Sequence, residues 1–125
     1  MTVKEIIETA ERLKPSQYQR EDLLRWLNQL EGRIWLQVIR THHDSQPTWE
    51  PYTQETWERV PLAAGPFEDL YLNWLYAQID YHNAEEIRYN NHMVMHEELM
   101  DMFKAWYNRE HMPVEGPEIT GYRGW

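Results

Sequence analysis

The sequence predicts an all-α protein: a compact bundle of about four helices, with a long irregular loop between helices 2 and 3 and an extended C-terminal tail. Three observations lead there. Apolar residues recur at helical spacing in successive stretches of the chain. Capping signals and prolines punctuate those stretches where helices should start and stop. Between Leu70 and Ile79 only Asn73 and Gln78 interrupt a run of Leu, Tyr, Trp, Ala and Ile, so the apolar groups point all round a helix axis. A helix of that kind is buried on every side. The 125 residues make one domain, with residues 1–112 helical and 113–125 the tail.

The first helix is expected over residues 3–13. Thr2 and Glu5 form a capping box, and Val3, Ile6, Ile7, Ala10 and Leu13 follow at helical spacing before Pro15 stops the run. The second is expected over residues 18–41, opened by a capping box at Ser16 and Gln19. Leu23, Trp26, Leu27, Leu30, Ile34 and Val38 form its stripe, widened by Leu24, Trp35 and Ile39. Gly32 inside it costs roughly 1 kcal/mol relative to Ala, and either admits a closely packed helix or is tolerated at an exposed site.

Thr41 to Gly65 breaks the pattern, with Pro47, Pro51 and Pro61 precluding a continuous helix. Trp49, Tyr52 and Trp57 are large aromatics for a polar linker, so the loop either packs back on the helices or docks on a partner. Glu58 to Leu62 reads as a short extended segment that Pro61 would confine to an edge. Pro66 opens the third helix, expected over 66–82. Asn83 followed by Glu86 signals a new start, so a fourth helix is expected over 84–109, rather than one rod about 60 Å long. Its buried stripe reads as Ile87, Asn91, Val94, Met95, Leu99, Met102, Phe103 and Trp106. Pro113 ends it, and the Gly- and Pro-punctuated tail closes on Tyr122 and Trp125.

Composition narrows the function. A net charge of −9 argues against a surface that grips nucleic acid through phosphates. Cysteine is absent, which fits a reducing compartment and excludes disulfides and thiolate metal sites. No run approaches the roughly 18 apolar residues that span a bilayer, and the N-terminus does not read as a signal peptide, so a soluble protein with no membrane partner is expected. Seven Trp and eight Tyr against two Phe suit interfaces, where an apolar body with a polar handle is useful.

No constellation compels catalysis, and no cofactor is expected. His92 and His96 stand at i, i+4 on one helical face, a spacing that can chelate a metal. They lack the general base of a metalloprotease motif, and a third ligand would have to come from Glu97 or His82. A scaffold role is the simpler reading, with a small metal-binding helical protein as the alternative. Glu68/Asp69, Glu85/Glu86 and Glu97/Glu98 are adjacent carboxylates that diverge on a helix and read as solvated faces. His42 and His43 sit at a helix end, where a cation complements the dipole.

Three segments carry a family resemblance: DLLRWLNQLEGRIWLQVI (Asp22 to Ile39), RVPLAAGPFEDLYLNWLYAQIDYHNAEEIRYNN (Arg59 to Asn91) and FKAWYNREHMP (Phe103 to Pro113). Together they resemble the head–tail connector (adaptor, head-completion) proteins of long-tailed bacteriophages and prophages. The loop from His42 to Trp57 and the tail after Pro113 have no counterpart. The resemblance implies a non-enzymatic, all-α subunit of a homo-oligomeric ring, typically of twelve copies, assembled in the host cytoplasm and carried in the virion neck. It implies contacts with the portal protein and with a stopper or tail-completion protein, and a channel that DNA traverses without sequence-specific binding. The over-apolar third helix fits a subunit that borrows cover from its neighbour. On that reading Leu70, Tyr71, Trp74 and Ile79 contribute core and inter-subunit contacts, while Trp49, Trp57, Tyr122 and Trp125 meet neighbours or portal. The rival to a connector, besides the metal protein, is an acidic helical interaction module that forms no ring.

Overall fold

A computed structural model describes residues 1–42 and 48–111. It is all-helical: α1 Val3–Leu13, α2 Arg20–Gln37, α3 Asp69–His82 and α4 Glu86–Glu110, with 3-10 turns at Ile39–Thr41 and Gly65–Phe67. Among the described residues no strand forms, and no helix is long and apolar enough to cross a membrane. The tail beyond His111, with Tyr122 and Trp125, lies outside the described residues, as do His43 and Asp44.

α1 starts as its capping box requires. The Glu5 N–H donates to Thr2 Oγ1 and the Thr2 N–H to Glu5 Oε1. Two more of its orphan amides are satisfied from far along the chain: Val3 N–H donates to the Arg59 carbonyl and Lys4 N–H to that of Trp57, both at 2.9 Å. The stretch expected as an extended edge is instead an irregular strap whose carbonyls cap α1.

α2 begins two residues later than its sequence signal, at Arg20. The Ser16 hydroxyl accepts from Tyr18 N–H, which forms a local turn rather than a helix cap. Tyr18 is then free to pack edge-on to Trp26 and to donate its hydroxyl to Asn83. At the other end α2 tightens into the 3-10 turn. His42 sits at this helix end with its ring buried and edge-on to Tyr107, and its Nδ1 is 2.6 Å from the Val38 carbonyl.

α3 runs through the middle and packs against α4, α2 and α1. Leu70, Tyr71, Leu75 and Ala77 are fully buried, with Ile79 at 1%. The apolar surplus read from the sequence is therefore covered inside one chain, by helices on three sides, and α3 has no missing cover for a neighbouring subunit to supply. The turn after α3 falls where expected. Ala84 takes a left-handed conformation (φ 59°), and Asn83 does not cap α4; its side chain accepts from Gln17 and Tyr18, pinning the turn to the α1–α2 linker.

Candidate interaction surface

The residues expected at a subunit interface divide by burial. Leu70, Tyr71, Trp74 and Ile79 are core residues. Trp74 donates its indole N–H to the Trp26 carbonyl at 2.8 Å, and the Arg33 guanidinium lies over its ring. Within the single chain these four side chains are at most 6% exposed, so the core half of their expected role accounts for them. Trp57 is also buried, under Arg20. Trp49 is half-buried, with its ring against Gly32, where an added Cβ would approach it to 3.2 Å. The glycine thus admits an aromatic ring of the strap rather than another helix.

The strap is fixed by a carboxylate that the sequence did not single out. Glu31 of α2 is fully buried and accepts from Tyr52 Oη (2.7 Å), Tyr71 Oη (2.6 Å) and the Leu62 N–H (2.8 Å). Tyr71 Oη accepts in turn from the Ala63 N–H. Burial pushes the Glu31 carboxyl up, against the hydrogen bonds from Tyr71, Leu62 and Tyr52 that pull it down. Burial beside this carboxylate also raises both tyrosines, Tyr71 well above the usual phenol range. Asn28 pairs reciprocally with the Tyr52 backbone, so residues 52–63 are clamped to α2 and α3. Glu31 positions the strap; it is closed off from any substrate.

A second polar cluster ties α1, α3 and α4. Asp80 meets Lys14 Nζ at 2.8 Å and His92 Nδ1 at 2.7 Å. Burial works against the Asp80 carboxylate, but Lys14 and His92 outweigh it and hold the carboxyl below its usual range. One turn on, His96 is buried; its Nδ1–H donates to the Leu70 carbonyl, and burial lowers its pKa. The pair that could chelate therefore points its Nδ1 atoms at different acceptors, with the rings against Tyr76 and Trp74 respectively. Among the described residues no group of three or more His, Asp or Glu is placed to hold a metal ion.

α4 differs most from expectation. Its buried face is His96, Met100, Phe103 and Tyr107. Ile87, Val94, Met95 and Met102, assigned to the core from the sequence, are exposed at 77, 57, 53 and 58%, and Trp106 at 38%. Of that expected stripe only Phe103 is buried and Leu99 half-buried. The helix carries two apolar stripes on opposite sides, and the one holding the histidines turns inward because Asp80 and the Leu70 carbonyl await them there. α4 carries five of the ten exposed large apolar side chains among the described residues, and its outward stripe is interspersed with Asn91, Glu98 and Asp101. Between α2 and α4 runs a shallow groove floored by Leu30, Trp74, Met93 and His96.

No known protein family, curated protein or solved structure matches the chain.

Proposed function

We propose that this protein is a structural assembly subunit: a head–tail connector that forms a ring under the portal of a long-tailed phage, extends the DNA channel and joins head to tail. The observation that carries the reading is the outward stripe of α4. Four large apolar side chains stand more than half exposed on one arc of a 25-residue helix whose opposite face completes a closed core. Singly scattered apolar residues need no explanation, but four of them on one rigid helix face, alternating with Asn91, Glu98 and Asp101, make an amphipathic strip suited to a protein partner. The acidic balance suits a channel lining that DNA must pass without sticking. The resemblance across α2, α3 and the end of α4 supplies the particular assembly. The ring, its portal and stopper contacts and its place in the virion neck belong to this proposal.

Deletion of the gene from its genome of origin tests it. DNA-filled heads should accumulate without joined tails, and the gene supplied in trans should restore joined particles. Normal yields of tailed, infectious particles from the deletion would overturn the reading. A simpler check is the gene's neighbourhood, where portal, capsid and tail genes are expected.

A further inference from the structure

We infer that the outward face of α4 in one copy docks on the arginine-bearing outward face of α2 in the next copy, joining successive subunits head to tail. The inference rests on the assembly reading above and names the two surfaces that would make the contact.

The α4 surface combines Ile87, Val94, Met95 and Met102 with the exposed carboxylates Glu98 and Asp101. At 3.6 residues per turn these six fall within an arc of about 120°, with one exposed cation, Arg109, in the same arc about two turns beyond Met102. The α2 surface is its chemical complement. Arg25 and Arg33 are exposed on one side of α2, about 12 Å apart along the axis, and Arg40 is exposed on the turn that follows it. Leu36, 48% exposed, stands among them. Between Arg25 and Arg40 the one acidic residue is Glu31, which is buried and engaged inside. In a chain with 21 acidic and 12 basic residues, such a row stands out. Arg33 and Arg40 lie over the Trp74 and Trp35 rings, 4.8 and 5.7 Å from the centroids, and neither makes an ion pair with a carboxylate among the described residues. Arg25 has a single long contact, 3.6 Å to Asp22.

Charge decides among the possible pairings. Two α4 faces brought together would set Glu98 and Asp101 of one copy against the same residues of the other, and two α2 faces would oppose arginines. Such like-charge juxtaposition disfavours both pairings. The α2–α4 pairing places arginines beside carboxylates and lets arginine stems cover the exposed aliphatic groups. Because the two faces differ, the contact is heterologous and propagates around a closed ring or along an open chain. The face from Ile87 to Met102, about 22 Å long and 10–12 Å wide, presents roughly 250 Å², about a third of what each partner buries in a stable pair. An isolated pair is then weak, and a subunit held by two such contacts in a closed ring is not.

The chain contains no cysteine, so the contact can be trapped cleanly. The full chain carrying both Leu36→Cys and Val94→Cys, treated at high concentration with a short bis-maleimide, should give a ladder of dimers, trimers and higher species. Each single variant should give at most traces. The ladder should fall several-fold between about 0.05 and 0.5 M NaCl, as screening weakens exposed charge pairs. It should fall likewise with Arg33→Glu/Arg40→Glu, and return when Glu98→Arg/Asp101→Arg is added to the same chain. All these positions are exposed, and far-UV circular dichroism checks that the variants fold. A double variant without a ladder, a Val94→Cys single variant that gives abundant dimer, or a charge swap without effect would overturn the inference. Wild-type rings seen by electron microscopy without a ladder would remove this contact and leave the assembly reading standing. A ladder together with normal tailed particles from the gene deletion would do the reverse.

Discussion

Removing the Glu31 side chain tests how the strap is held. Glu31→Ala leaves three buried donors without their acceptor: Tyr52 Oη–H, Tyr71 Oη–H and Leu62 N–H. Each orphaned donor costs about 1–3 kcal/mol, less whatever water the new space admits. We expect a loss of about 3–5 kcal/mol, a large share of the 5–15 kcal/mol typical of a small domain. The tyrosines should rank below it and in a fixed order. Tyr71→Phe also strands the Ala63 N–H, so about 2–3 kcal/mol is expected. Tyr52→Phe strands nothing and leaves the carboxylate two donors, so about 1 kcal/mol is expected. Urea unfolding followed by the fluorescence of the seven tryptophans measures all three. The pH dependence gives an independent reading. Burial raises the folded Glu31 carboxyl above its unfolded value, so the native state holds this proton more tightly. Its contribution is then most favourable at or below the ordinary glutamate range and is lost as pH rises through the raised folded value. Glu31→Gln should remove that slope. A Glu31→Ala loss below 1 kcal/mol, or Tyr52→Phe costing more than Tyr71→Phe, would refute the hub.

Three further outcomes are expected. Ala84 holds a left-handed conformation that costs a residue with a Cβ about 1–2 kcal/mol; after the entropy a glycine loses on folding, Ala84→Gly should gain roughly 0.5–1 kcal/mol and raise Tm by about 2–4 °C in a thermal melt. Asp80→Asn should cost about 1.5–3 kcal/mol at neutral pH, toward the lower end because Lys14 can rehydrate. Since Lys14 and His92 hold the folded Asp80 carboxyl below its unfolded value, its contribution is present above the ordinary aspartate range and lost as pH falls through the folded value, so wild-type and variant urea midpoints should converge in acid; parallel curves would sink the assignment. Trp74→Ala should cost about 3–5 kcal/mol through the core alone, whereas Met95→Ser/Met102→Ser should move the urea midpoint by an amount worth under about 1 kcal/mol and, added to the Leu36→Cys/Val94→Cys chain, should lower the cross-linked oligomer several-fold.

The sequence made α1 and the α3–α4 break legible because their signals are local. Thr2 and Glu5 cap each other across three residues, and the Asn83…Glu86 signal falls at the turn itself, although Asn83 caps nothing there and instead accepts from Gln17 and Tyr18. The start of α2 was misplaced because Ser16 had two uses for its hydroxyl, and the choice depended on Tyr18 reaching Asn83, 65 residues away. Glu31 was invisible for a related reason. Its partners stand 21, 31 and 40 residues further on, out of reach of any local pattern. The face of α4 was read the wrong way round. Ranking by hydropathy put Ile87, Val94, Met95 and Met102 inside, but a histidine with a buried acceptor is a core residue. Asp80 and the Leu70 carbonyl were the signals that could have decided it, had the α3–α4 packing been known.

That reversal changes what the aromatic and aliphatic surplus implies. If α3 had lacked cover, folding and assembly would be one event, and any variant of Leu70 or Trp74 would report on both. Since α3 is enclosed by α1, α2 and α4 of its own chain, the fold closes first and the unmatched apolar area lies outside it, on α4. The exposed side chains there gain little from the monomer's own packing, so their interaction free energy is available to a partner. A face of roughly 250 Å² supplies too little of it for a tight pair; the proposed ring would repeat the contact on both sides of every subunit. On the proposed connector reading, a subunit built this way would stay dissociated while dilute and join its neighbours when they are gathered on a common template, as a ring nucleated on another protein requires.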